Sequence, residues 1–151
     1  MKANPSDNVV RAWTRLMRAQ RMALAFVEQA LKSAGLPPLV WYDALLELER
    51  AGDEGLRPFE LEREMLLAQY NLSRLIDRIE KAGYVERRVC QGDGRGQIIA
   101  VTAAGKTMRR RMWTVYGPAI QSVVGSRLPP DQIETLNAVL EALIGKPAGG
   151  E

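Results

Sequence analysis

A chain of 151 residues, 46% hydrophobic and 26% charged, is one domain by length and can bury about 70% of the surface its unfolded form exposes. One cysteine and no histidine exclude a disulfide framework and any catalytic pairing of a nucleophile with a histidine base, and no apolar run approaches membrane length. The net charge of +3 is too small to identify a nucleic-acid partner by itself, so the distribution of charge matters more than its total. Residues Met1 to Asp7 lack the apolar core of a signal peptide, and the expected compartment is the reducing cytoplasm.

Asp7 is placed to cap a long helix reaching Ala34, with Trp13, Leu16, Met17, Leu24, Phe26, Val27 and Leu31 giving it broad apolar coverage. Gly35-Leu36-Pro37-Pro38 stops it. A second helix is expected from about Leu39 to Ala51, carrying Trp41, Ala44, Leu45 and Leu48, followed by a loop at Gly52-Asp53-Glu54-Gly55. A short third helix runs from about Pro58 to Met65, and its carboxylates Glu60, Glu62 and Glu64 read as solvated charge. Arg11, Arg15, Arg18 and Arg21 form an acid-free basic stretch, as do Lys106, Arg109, Arg110 and Arg111; both read first as solvated helix faces.

The densest pattern lies between Gln69 and Thr102. Leu72, Leu75, Ile76 and Ile79 recur at i, i+3, i+4 and i+7, an apolar stripe on one side of a helix. The other side is Tyr70, Arg74, Asp77 and Lys81, flanked by Asn71, Ser73 and Arg78. Ala68 or Gln69 stands at the expected N-cap, and both cap poorly, so the first turn is expected to need packing or a ligand to order. Gly83 supplies the left-handed residue that ends the helix. Tyr84 to Cys90 and Gln97 to Thr102 read as two strands around the loop Gln91-Gly92-Asp93-Gly94-Arg95-Gly96, with Arg95 at its tip. Either feature alone is an ordinary surface helix or hairpin. In this order, behind another short helix, they read as a winged helix-turn-helix, with one helix for the DNA major groove and a loop for the backbone beside it. Asp77 and Asp93 are better explained as partners that position arginines than as DNA contacts, because carboxylates repel phosphates.

Thr102 is placed to cap a further long helix running past Trp113 and Tyr116, with a kink or break expected at Gly117-Pro118. A last helix, from about Pro129 to Ile144, shows Ile133, Leu136, Val139, Leu140 and Leu143 at helical spacing. These are more apolar faces than one small core needs, which points to a partner chain.

The run Asn71-Leu72-Ser73-Arg74, Glu80, Gly83-Tyr84-Val85, Asp93-Gly94-Arg95, Thr102 and Gly105 resembles the pattern of the MarR (multiple antibiotic resistance regulator) transcription factors, spacing included. It departs at Ile79, usually Leu or Met there, and at Leu66, where the turn often has Gly. The resemblance implies a single domain over residues 1–151, mainly α with a small β-hairpin wing. The winged helix-turn-helix would occupy residues 38–102, and residues 7–34 and 103–145 would be dimerisation helices. It further implies a homodimeric regulator of double-stranded DNA, a repressor on a pseudo-palindromic operator, released by a small aromatic effector.

The DNA-contacting residues it points to are Tyr70, Asn71, Ser73, Arg74, Arg78 and Arg95. Trp13, Trp41, Tyr42, Trp113 and Tyr116 would border the effector space, although aromatics at helical spacing are usually core, and the core reading is preferred. No cofactor or metal is expected, nor any enzyme chemistry. Cys90 ends the first wing strand, away from the N-terminal cysteine of the peroxide-sensing branch, and reads as a packing residue. The alternative is a winged-helix module that binds protein, or DNA without an operator.

Overall fold

Apolar residues at helical spacing, punctuated by Gly and Pro, give the chain its order of elements. The computed structural model describes residues 2–68, 71–89 and 96–145. Among these, the helices are α1 (Asp7–Ser33), α2 (Leu39–Ala51), α3 (Pro58–Glu64) and α4 (Leu72–Lys81), then α5 (Ala103–Ile120) and α6 (Pro130–Ile144). Strands β1 (Val85–Val89) and β2 (Gln97–Val101) lie between α4 and α5. The protein is mainly helical with one antiparallel hairpin, the winged helix-turn-helix arrangement.

The chain divides into two compact units, Glu28–Tyr116 and the two ends Met1–Val27 with Gly117–Glu151. In the central unit, Leu45 and Leu48 of α2, Leu61 of α3, Ile79 of α4, Ile99 of β2 and Met112 of α5 are fully buried around one core. The hairpin pairs Val85 with Val101 through Val89 with Gln97. Leu56 adds a third, one-residue rung: its N–H donates to Ile99 O at 2.9 Å and Ile99 N–H donates back at 2.8 Å. Gly55 precedes that rung at φ +65°, where an added Cβ would stand 2.4 Å from Ile99 O, so the close approach needs glycine.

The start of α2 is held by a side chain from α1: Leu39 N–H donates to Glu28 Oε1 at 2.6 Å. At the start of α5, Thr102 Oγ1 accepts from Gly105 N–H at 3.1 Å, the cap expected from sequence, and donates to Gly83 O at 2.6 Å. One hydroxyl therefore joins the end of α4 to the start of α5. Gly105 allows this, because a Cβ there would meet Tyr84 O at 2.1 Å.

The terminal unit is built differently. Helix α6 buries no side chain, and Val139, Leu143 and Ile144 are exposed. On α1 the same holds for Val9, Trp13, Met22 and Phe26. Of the kink or break expected at Gly117-Pro118, the break does not occur: α5 continues through Pro118 to Ile120 and passes into a π-helical turn at Gln121–Gly125. Proline forfeits one helix hydrogen bond but does not oblige the chain to turn.

Candidate nucleic-acid interface

Helix α4 presents two faces of opposite character. Leu75, Ile76 and Ile79 enter the core, while Asn71, Ser73, Arg74, Asp77 and Arg78 are exposed. Its start corrects the expectation from sequence. The N-cap is Asn71, neither Ala68 nor Gln69, and its Oδ1 accepts from Arg74 N–H at 3.0 Å. Asn is among the strongest capping residues, so the first turn is tied down by its own sequence. Its candidacy as a DNA contact hid this local role. Capping uses Oδ1 and leaves the amide NH2 free to donate outward. The far end closes as expected, on Gly83 at φ +84°, with Gly83 N–H donating to Glu80 O at 2.9 Å.

The cations around α4 are not equivalent. Arg87 of β1 reaches back across the helix and donates to Asp77 Oδ1 at 2.5 Å and Glu80 Oε1 at 2.6 Å. The Asp77 hydrogen bond above all, with Glu80 adding attraction, outweighs the cost of burial and pushes the Arg87 pKa up. The expectation that Asp77 positions an arginine is met here. Arg74 and Arg78, one helical turn apart, have no ion-pair partner among the described residues. They project from the same helix whose carboxylates are already occupied. Beside them, Pro38, Val40, Trp41, Asn71, Arg74 and Arg78 line a groove of about 300 Å³. Tyr70 and the wing residues Cys90, Asp93 and Arg95 lie outside the described residues.

The aromatic residues separate into groups. Tyr42, Trp113 and Tyr116 pack on one another: Tyr42 stacks with Trp113 at 6.1 Å between centroids and meets Tyr116 edge-on at 5.0 Å. Arg109 lies 6.0 Å over the Tyr42 ring and pairs with Glu49. Burial opposes its charge, but hydrogen bonds to Glu49 and Tyr42 prevail and raise its pKa. Trp41 faces the other way, edge-on to Tyr84 at 6.1 Å. Trp13 is exposed on α1. Within the central unit, then, three of the five form a packed trio and Trp41 packs on Tyr84 instead.

One residue of the site escaped sequence reasoning. Asp43 is buried on α2 between Tyr42 and Ala44, and its carboxylate accepts from Leu66 N–H at 2.9 Å and Leu67 N–H at 2.7 Å, in the turn that leads to α4. The available signal was an acid set inside the apolar run from Leu39 to Leu48.

Comparison with known proteins agrees with this geometry. A model of the MarR family matches residues 34–96. The transcriptional repressor MprA of Escherichia coli K12 is 30% identical, over 86% of this chain and 83% of its own. The chain belongs to the MarR family. Like its MarR relatives it is a transcriptional regulator. Among solved structures, the MarR family regulator Sco3205 of Streptomyces coelicolor, crystallised in complex with DNA, matches with a TM-score of 0.84 at 25% identity, covering 95% of this chain and 90% of that one. A mutant form of Escherichia coli MarR, complexed with operator DNA, shares the fold, with a TM-score of 0.78 at 18% identity over 95% of this chain and all 100% of that one. Among the described residues, no helix is long and apolar enough to cross a membrane.

Proposed function

We propose that the protein is a cytoplasmic, homodimeric transcriptional repressor that binds a pseudo-palindromic operator through α4 and is released by a small aromatic acid. The observation that carries this reading is the exposed pair Arg74 and Arg78, without an ion-pair partner among the described residues, beside the capping residue Asn71, while neighbouring Arg87 is engaged by Asp77 and Glu80. An Arg forking onto guanine O6 and N7 is worth about 1 to 3 kcal/mol of discrimination, and Arg74 on the first turn takes that role. Asn71 and Ser73, with Tyr70, contact bases or nearby phosphates; Arg78 meets the backbone; Arg95 enters the minor groove. MprA is described as a repressor, and Sco3205 was crystallised with DNA.

Dimerisation is supported by the terminal unit. A groove of about 410 Å³ is lined by apolar Met22, Phe26 and Val123 together with Arg15, Arg18 and Arg127. Helix α6 offers the complement, exposed Val139 and Leu143 with acidic Asp131, Glu134 and Glu141. A second copy satisfies both. Two α4 helices about 34 Å apart would then read successive major grooves. Release is supported by the groove beside Trp41, which offers an indole and the guanidinium groups of Arg74 and Arg78 to an aromatic carboxylate, in competition with DNA.

The test is selection from a random duplex library near physiological salt, with Arg74→Ala and Arg95→Ala beside the wild type. Enrichment of a two-fold symmetric site that fades in the Arg74 variant is expected. Salt-sensitive binding without an enriched sequence would instead make the protein a general DNA-coating or protein-interaction module.

A further inference from the structure

The turn between α3 and α4 has little of its own to hold it. Helix α3 ends at Glu64 and is capped by Met65, whose N–H donates to Leu61 O, and the next residue, Leu66, is exposed. Leu66 therefore does not anchor the turn by burial. The anchor comes from α2, 23 residues upstream: both oxygens of Asp43 accept from consecutive backbone N–H groups, one from Leu66 and one from Leu67. Two bonds from one carboxylate hold two successive peptide units and so fix the direction of the turn as well as its position, as a single bond does not. Asp43 is itself held, being buried on a helix whose neighbours Tyr42, Ala44 and Leu45 are core residues.

We propose that Asp43 is a positioning residue for operator recognition: its carboxylate aims the turn that delivers Asn71, Ser73 and Arg74 to DNA. This rests on the reading of α4 proposed above and adds to it a determinant of specificity that touches no base. A recognition helix must arrive within a fraction of an ångström for a bidentate contact to form, and its own cap orders only its first turn. The carboxylate ties that arrival to α2, in the middle of the core. Burying an ionised carboxylate is costly unless its lone pairs are filled by donors, and here backbone N–H groups fill them. An apolar residue at position 43 would avoid that cost and leave both part-buried N–H groups without this acceptor.

The experiment uses the full-length protein and three forms: wild type, Asp43→Asn, which keeps one acceptor, and Asp43→Ala, which keeps none. For each, affinity is measured for the selected operator and for a scrambled duplex at equal salt, with amide hydrogen exchange on the free protein. The expected result is graded. Operator affinity falls about tenfold in the Asn variant and further in the Ala variant, affinity for the scrambled duplex and its salt slope are unchanged, and exchange quickens at Leu66 and Leu67 while Leu45 and Ile79 keep their protection. Wild-type selectivity in both variants overturns the proposal, as does a parallel loss on both duplexes that tracks lost core protection, which would mark a purely structural residue. A wild type that does not distinguish operator from scrambled duplex overturns the reading of α4 itself, and is recognised before any variant is made.

Discussion

The two units of this molecule solve the problem of burial in opposite ways. Residues Glu28–Tyr116 contain nearly all the buried side chains, from Leu31 through Leu45, Ile79 and Ile99 to Met112; the ends contribute Val27 and Ala119 at their margins, and α6 contributes none. A 15-residue helix with that many exposed aliphatic positions has no reason to stay folded on hydrophobic grounds unless something covers it. The central unit carries its core within one chain, whereas the terminal unit presents the faces that the proposed dimer would cover.

The sharpest way to break that contrast is to mutate each unit and vary protein concentration. Leu45→Ala removes a fully buried side chain and should cost about 2 to 5 kcal/mol in denaturant unfolding, with the loss independent of concentration. Leu143→Asp, in the terminal unit, should leave the central core intact and weaken the dimer at least tenfold, about 1.4 kcal/mol, seen as dissociation at low concentration in sedimentation. Equal concentration dependence in the two variants would erase the distinction. Within the central unit, Asn71→Ala should cost about 1 kcal/mol and speed exchange at the Arg74 amide, while Asn71→Asp restores the cap.

The smallest effect concerns pH. Burial first, then the negative charges of Tyr42 and Asp43, hold the Tyr116 phenol above its usual range. The folded state keeps its proton longer than the unfolded one, so this contribution to stability is complete below about pH 10 and is lost as the pH rises through the folded value. Absorbance of ionised tyrosine should show one phenol titrating late, and Tyr116→Phe should abolish that late step.

Local chemistry made most of the fold legible. Helix α2 runs between Pro38 and Gly52 as its flanking residues dictate, and α5 begins at the Thr102 cap. Sequence and structure part where one residue type serves two purposes. Asn71 suits both DNA reading and capping, and assigning it the first leaves the second to weaker neighbours; Gly117-Pro118 suits a break, although a helix can absorb one missing hydrogen bond. The partners of Asp43, Glu28 and Arg87 were hidden for a different reason. Each depends on segments distant in sequence coming together, and periodicity carries no information about such pairs. The contrast between the units was visible as a surplus of apolar faces, though not which helix would be left bare.

The cap at Asn71 also restricts how this regulator can acquire a new operator. Under the proposed reading of α4, a substitution that changes what position 71 would offer to a base changes the start of the helix at the same moment, so only the short list of good capping residues, Ser, Thr and Asp besides Asn, keeps Arg74 where it was. Arg74 and Arg78, whose side chains hold nothing else in place among the described residues, carry no such restriction. On that reading, divergence of binding preference is freest at Arg74 and Arg78 and most constrained at the N-cap.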